Sequence, residues 1–212
     1  MFFKIKKMSI VIPVLLIALL LIPALALSSR FEKKRFLALE DAMQVLNENL
    51  QLSFKKPELK FLPTEFPSLK GTYKGFELAI FIETTHKNKC LVIELDLGQT
   101  EDFSFMLREQ TSLDNIGILA GEKDIETKDK VFDRKFFVSS NLPDKMIQIL
   151  NDQCRQFALQ NYAIFEKGII TLEKGKLQYR HYSPLFVLNN KDKTLKIVDF
   201  LDVLEENNRA KN

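Results

Sequence analysis

Tryptophan is absent from this chain, and cysteine and histidine occur only twice each. The two cysteines, Cys90 and Cys154, are too few and too far apart for a disulfide framework, which packs more of them into a smaller chain. They read as buried free thiols, with Cys154 on the apolar stripe of a predicted helix. The two histidines, His86 and His181, fall short of the three or four ligands of a zinc site, and neither CxxC nor HExxH occurs. His86 lies in a polar hairpin loop beside Lys87 and Lys89, where exposure is expected. His181 ends a strand alternating with Leu177 and Tyr179, where a partly covered structural role is expected. The serine elbow GxSxG is missing too. A phosphate loop needs GxxxxGK(S/T), so that its amides and lysine can wrap the phosphates. The nearest approach, residues 117–123, is one residue short and carries Glu122 where the lysine belongs.

Glycine and proline, seven of each and well scattered, exclude a long flexible linker. A net charge of +3 is too small to point to nucleic acid, and the basic run Lys33, Lys34, Arg35 directly follows a long apolar segment. No nucleic-acid partner, cofactor, metal ligand or catalytic residue is assigned.

What the chain does have is phenylalanine, 18 residues in 212, and one long charge-free run, residues 8–29, MSIVIPVLLIALLLIPALALSS. A bilayer core about 30 Å thick takes about 20 helical residues to cross, so this run has the length of a span. Pro13 and Pro23 sit near its ends, where lost backbone hydrogen bonds matter least. Ala24-Leu25-Ala26 also resembles a small-x-small cleavage site, which makes a signal peptide the competing reading. The run is longer than a signal peptide's apolar region, and Arg30, Lys33, Lys34 and Arg35 follow it as a stop-transfer flank. An uncleaved anchor is therefore expected, with the lipid bilayer as partner of residues 8–29. No cysteine follows the run, which excludes a bacterial lipoprotein anchor. Lys4, Lys6 and Lys7 precede the span and four cations follow it, so the positive-inside rule favours a cytoplasmic domain by one charge.

Beyond the span, Phe36, Leu39, Met43, Leu46 and Leu50 step by three and four, predicting an amphipathic helix over 31–50. The same spacing is a two-heptad seam, which would suit a homodimer or another protein partner on residues 36–50. Two heptads are short for a coiled coil, so packing on the domain is the expected use. Pro57, Pro63 and Pro67 keep 55–69 extended. Period-two alternation on both sides of 84–89 predicts a hairpin, with Gly71 and Gly75 at its start marking tight turns or bulges. Phe103, Phe105 and Leu107 give a third strand. Residues 111–130 read as loop, with a short strand over 116–119.

Phe132, Arg134, Phe136 and Val138 alternate as a strand; Ser139, Ser140 and Asn141 act as turn and capping residues, and Pro143 opens one long helix through Met146, Ile147, Leu150, Cys154, Phe157 and Ala158. Short strands follow over 164–181, with Glu173-Lys174-Gly175 as a hairpin loop. Residues 185–188 and 194–198 read as one more hairpin, or 199–206 as a terminal amphipathic helix.

The pieces LKGTYKGF (69–76) and DKVFDRKFFVSS (129–140), with the helix and strands behind them, resemble a family of uncharacterised bacterial membrane-anchored proteins. Such proteins join one or more N-terminal spans to an α+β domain of unknown function. The resemblance implies that architecture and carries no activity or catalytic residue with it.

Among the acids, Glu94 and Asp96 share a strand face, with Glu101 and Asp102 in the next turn. Such a set could serve as acid and base or hold a cation, but the wet face of a half-buried sheet is the expected role. Asp133, between Phe132 and Arg134, is expected to pair locally with Arg134, Lys135 or Lys130. The expected fold is α+β: an N-terminal transmembrane helix, then an antiparallel sheet with helices on one face. The division is 1–30 anchor with a short basic N-terminus, 31–70 juxtamembrane helix and proline-containing connector, 71–200 α+β domain, and 201–212 tail. The expected function is a binding or scaffolding module at the membrane surface. Its alternatives are a hydrolase-like enzyme on a lipid or envelope substrate, whose pocket would hold Asp133 or Glu94 and Asp96, and a secreted domain released near Ala26.

Overall fold

The computed structural model describes the backbone of residues 3–57, 65–85, 88–98, 102–111 and 124–210, with side chains from Ala26 onward except Thr85. Its elements run α1 (Phe3–Leu50), β1 (Ser53–Lys55), β2 (Ser68–Tyr73), β3 (Phe76–Thr85), β4 (Asn88–Asp96), β5 (Phe105–Glu109), α2 (Lys130–Asp133), β6 (Phe136–Ser140), α3 (Pro143–Ile149), α4 (Asp152–Gln160), α5 (Tyr162–Phe165), β7 (Gly168–Glu173), β8 (Lys176–His181), α6 (Pro184–Leu188) and α7 (Lys191–Arg209). The strands form one antiparallel sheet of eight in the order β1-β2-β3-β4-β8-β7-β5-β6. The fold is α+β, as the alternating patterns predict.

Register explains the layering. Leu69, Ile80, Ile93, Tyr179, Ile170, Leu107 and Val138 line up across the sheet from β2 to β6. This row is buried and belongs to one core with Met146, Ile149, Ile197, Leu201 and Leu204 of the helices. On the opposite face polar groups such as Glu94 and Gln178 lie among apolar ones, some buried, as Val92 and Phe137 are, and some half-buried, as Phe81 is. Two tight turns set this register. Lys74 and Gly75 (φ 48 and 92) join β2 to β3, and Lys174 and Gly175 (φ 51 and 76) join β7 to β8. Both residues of each turn are left-handed, the geometry whose twist matches a two-residue hairpin.

The stripe Phe36, Leu39, Met43, Leu46 and Leu50 is buried in the core. Each such side chain contributes about 1.5–3 kcal/mol of transfer free energy, so the second half of α1 is part of the domain. These five side chains are therefore consumed inside the chain. The 8–25 part of the expected span lies outside the described side chains. Among the residues whose side chains are described, Ala26 onward, no helix is long and apolar enough to cross a membrane.

Several local expectations are corrected. Phe132 lies in α2, not in a strand, because the Asp129 carboxylate accepts from the amides of Val131 and Phe132 at 3.0 and 3.2 Å and starts a helical turn. The strand begins only at Phe136. The helix behind Pro143 is two helices, since Asn151 breaks the path and caps α4 by accepting from the Cys154 amide at 3.0 Å. Residues 185–188 and 194–198 are helical: Pro184 takes a first-turn position, and Asn190 accepts from the Lys193 amide at 3.0 Å. Residues 201–209 are the last turns of α7, with Leu201, Leu204 and Asn208 buried. The divisions at 70/71 and 200/201 thus fall inside β2 and α7, elements of one core. The strand expected over 116–119, the 117–123 near-loop, Glu101 and His86 lie outside the described residues.

Candidate functional site

Among the clefts of the described surface, two bring polar side chains together. The larger, about 910 Å³, lies where β5, β6 and β7 end against α3 and the 124–126 segment. Its polar groups are largely occupied in building it. Asn141 accepts from the Ser104 amide at 2.9 Å and donates to the Asp102 carbonyl, clamping the chain ahead of β5. The Ser140 hydroxyl donates to the Ser104 carbonyl at 2.8 Å and accepts from the Leu142 amide at 3.1 Å. The Ser-Ser-Asn triplet therefore shapes a strand end, and no side chain caps α3. Phe105, Ile125, Ile147 and Leu172 give the floor an apolar character.

The smaller cleft, about 330 Å³, lies between α1 and the β8–α6 connection, lined by Glu32, Arg35, Leu39, Lys89 and residues 182–186. Lys89 hydrogen-bonds Glu32, and Arg35 lies 3.6 Å from the same carboxylate. The Lys89 hydrogen bond, with the charges of Lys89 and Arg35, holds the Glu32 carboxyl below its ordinary range. Phe186 is half exposed, carries the Lys193 ammonium 3.7 Å from its ring centre, and stacks on His181 at 5.5 Å.

His181 itself is buried, a fuller covering than the sequence implies, and its Nδ1 accepts from the Ser183 amide at 3.0 Å. Burial, with help from the Lys193 and Lys167 charges, pushes its pKa below the ordinary histidine value. It is a neutral, structural imidazole. Both cysteines are free and buried, as their positions predict. Burial raises the Cys90 thiol pKa and takes Cys154 to about 11, so neither offers a thiolate nucleophile near neutrality. Tyr162 donates to Glu109 at 2.5 Å, and burial together with that carboxylate raises its phenol to about 12.

The acids singled out from sequence do not meet. Asp133 accepts from the Thr127 hydroxyl at 2.6 Å and amide at 3.1 Å, tying the strap before α2, in place of the expected lysine or arginine pair. Glu94 is bound by Lys176 at 2.8 Å and by Gln178, and Asp96 accepts from the Gly98 amide at 2.9 Å. None of the three lines either cleft. Among the described residues, no three acid, cysteine or histidine side chains converge as a metal site would require. What sequence reading missed is the 182–186 corner. Its signal was Ser183-Pro184, a proline placed to open a helix.

No family model matches the chain, and neither does any curated protein. Among solved structures, the fold is similar to the mycobacterial trehalose monomycolate transport factor A, TtfA. The TM-score is 0.52 at 12% identity, over 80% of this chain and 93% of that one. At this identity the likeness is one of fold. Within that fold, the LKGTYKGF piece makes the β2–β3 turn, and DKVFDRKFFVSS makes α2 and β6.

Proposed function

We propose that the protein is a membrane-anchored α+β module of the cell envelope, which binds or scaffolds a partner at the bilayer surface and catalyses no reaction. The observation that carries this reading is α1. One helix holds both the charge-free run 8–29 and the stripe from Phe36 to Leu50 that is built into the domain core. The envelope enters through the fold likeness to a transport factor for trehalose monomycolate. The flanking cations favour a cytoplasmic domain by one charge. Membership of the family of uncharacterised membrane-anchored proteins is part of the same proposal.

Because the buried stripe is already used, a protein partner or second copy on 36–50 would meet the other side of the helix, where Leu37 and Val45 are exposed. Sodium carbonate extraction of membranes tests the anchor: the full-length chain should stay in the pellet, and its release would refute the reading. Crosslinking in those membranes should capture a partner or a dimer, and a C-terminal reporter gives the side. Mass spectrometry of the mature N-terminus separates the anchor from cleavage near Ala26, which would leave the packed stripe intact.

A further inference from the structure

We infer that the corner formed by Tyr182 and Phe186 beside α1 sits in the headgroup layer of an anionic bilayer, giving the domain a second membrane contact; this rests on the anchor proposed above. The geometry is one of height along α1. The smaller cleft places residues 182–186 against α1 from Glu32 to Leu39, with Glu32 at the end nearer the charge-free run. Ser29, the last residue of the charge-free run, is three residues before Glu32, about 4.5 Å at the helical rise. The polar layer on each side of a bilayer is about 5–7 Å thick, the difference between its full and hydrocarbon thickness. A span ending at Ser29 therefore brings the near edge of this corner to the headgroups, the level that aromatic side chains favour.

The surface chemistry agrees. Among the described residues eight large hydrophobic side chains are exposed, and four of them, Leu27, Phe31, Tyr182 and Phe186, belong to this end of the molecule. Cations share this end: Arg30, Lys33 and Lys34 are exposed on α1, and Lys193, which Glu166 also faces, lies over the Phe186 ring. Glu32, the acid lining this cleft, is engaged by Lys89 and Arg35. Exposed aromatic rings with lysine and arginine at the same end of the molecule complement an anionic lipid surface.

The absence of tryptophan makes the test direct. The full-length chain carrying F186W is reconstituted into vesicles of phosphatidylcholine with or without phosphatidylglycerol. L142W serves as control, since Ser140 beside Leu142 aligns with Phe105, Leu172 and Leu177 at the sheet end opposite His181. With phosphatidylglycerol, F186W emission should shift to the blue and lose roughly half its intensity to lipids brominated near the glycerol end of their chains, while L142W is unaffected. The triple variant K33E/K34E/K193E should lose that response. F186W as open to aqueous iodide as L142W, in a chain that still resists carbonate, overturns the inference and leaves the anchor standing. Equal quenching in pure phosphatidylcholine overturns the charge requirement. Carbonate release of the chain overturns the anchor itself.

Discussion

Alanine at Gly168 would place its methyl carbon 2.5 Å from Cε2, 2.7 Å from the hydroxyl and 2.8 Å from Cζ of Tyr179. Carbon atoms pack at about 3.5–4.0 Å, so the ring must retreat by about 1 Å or the β7–β8 pair must part. Neither is free. Tyr179 is fully buried, and its hydroxyl donates to the Ile164 carbonyl at 3.0 Å, fixing the turn of α5 that leads into β7. Overpacking a core costs about 1–3 kcal/mol, and stranding a buried hydrogen-bonding group costs about 1–3 kcal/mol more. Removing a glycine from the unfolded chain returns about 0.4–1 kcal/mol. Gly168→Ala should therefore destabilise by about 2–4 kcal/mol, or lower Tm by roughly 4–16 °C for a chain of this size. Urea unfolding in mild detergent, followed by the near-ultraviolet circular dichroism of the tyrosines, measures it. Tyr179→Leu is itself destabilising, but in that background Gly168→Ala should cost less than about 1 kcal/mol, since neighbours that share a contact are not additive. A Gly168→Ala cost within about 0.5 kcal/mol of zero in both backgrounds would refute the packing argument.

The two lysine-glycine turns should respond oppositely to the same change. Lys174 is left-handed, 86% exposed, and 3.6 Å from an exposed Glu173, so Lys174→Asn should stabilise by about 0.5–1 kcal/mol in urea unfolding through better turn geometry. Lys74 shares the conformation, but its ammonium lies 2.6 Å from Asp202, whose side chain is 4% exposed. Lys74→Asn strands that carboxylate and should destabilise by about 1–3 kcal/mol; equal effects at the two turns would contradict this account. His181 gives a pH dependence. Its folded pKa is depressed, so its contribution is complete above the unfolded value of about 6.5. As pH falls through that value the unfolded chain takes up the proton first, and stability declines until the folded pKa is passed. His181→Asn, which keeps an acceptor for the Ser183 amide, should flatten the fall in urea midpoint below about pH 6.5; an unchanged slope would place the titration elsewhere.

The parts of this fold legible in sequence are those where one periodicity runs unopposed. The α1 stripe, the β3 and β4 alternation and the Lys174-Gly175 turn all emerge in place, because each needs only local pattern and turn chemistry. The misreadings fall where a capping side chain competes with that pattern. Asp129 starts a turn of helix inside an alternating run, and Asn151 splits a helix whose stripe continues across the break. At 194–198 the β-branched Thr194, Ile197 and Val198 favour strand in isolation. Tertiary burial overrides this, since Thr194, Ile197, Val198, Leu201 and Leu204 recur at helical spacing on one buried face. At 182–186 Pro184 signals the helix start, but the cleft around it was illegible for a different reason. Its neighbours Glu32 and Lys89 come from remote parts of the chain, and only the closing of β4 on β8 brings them together.

That closing also decides what kind of tether α1 can be. No glycine or proline occurs between Ser29 and Leu50, and the helix runs unbroken through that interval. Sharp helix bends arise at proline, at glycine pairs or at bulges, and a flexible linker would need the glycine and serine that this interval lacks. The stripe that begins at Phe36 is already locked in the core, about 10 Å along the helix from Ser29. A domain joined to a span in this way is held at fixed height and orientation. On the proposed anchor, a partner would have to come to it at the bilayer surface, and inserting a glycine-serine linker after Ser29 should abolish partner capture while leaving the fold of the domain unchanged.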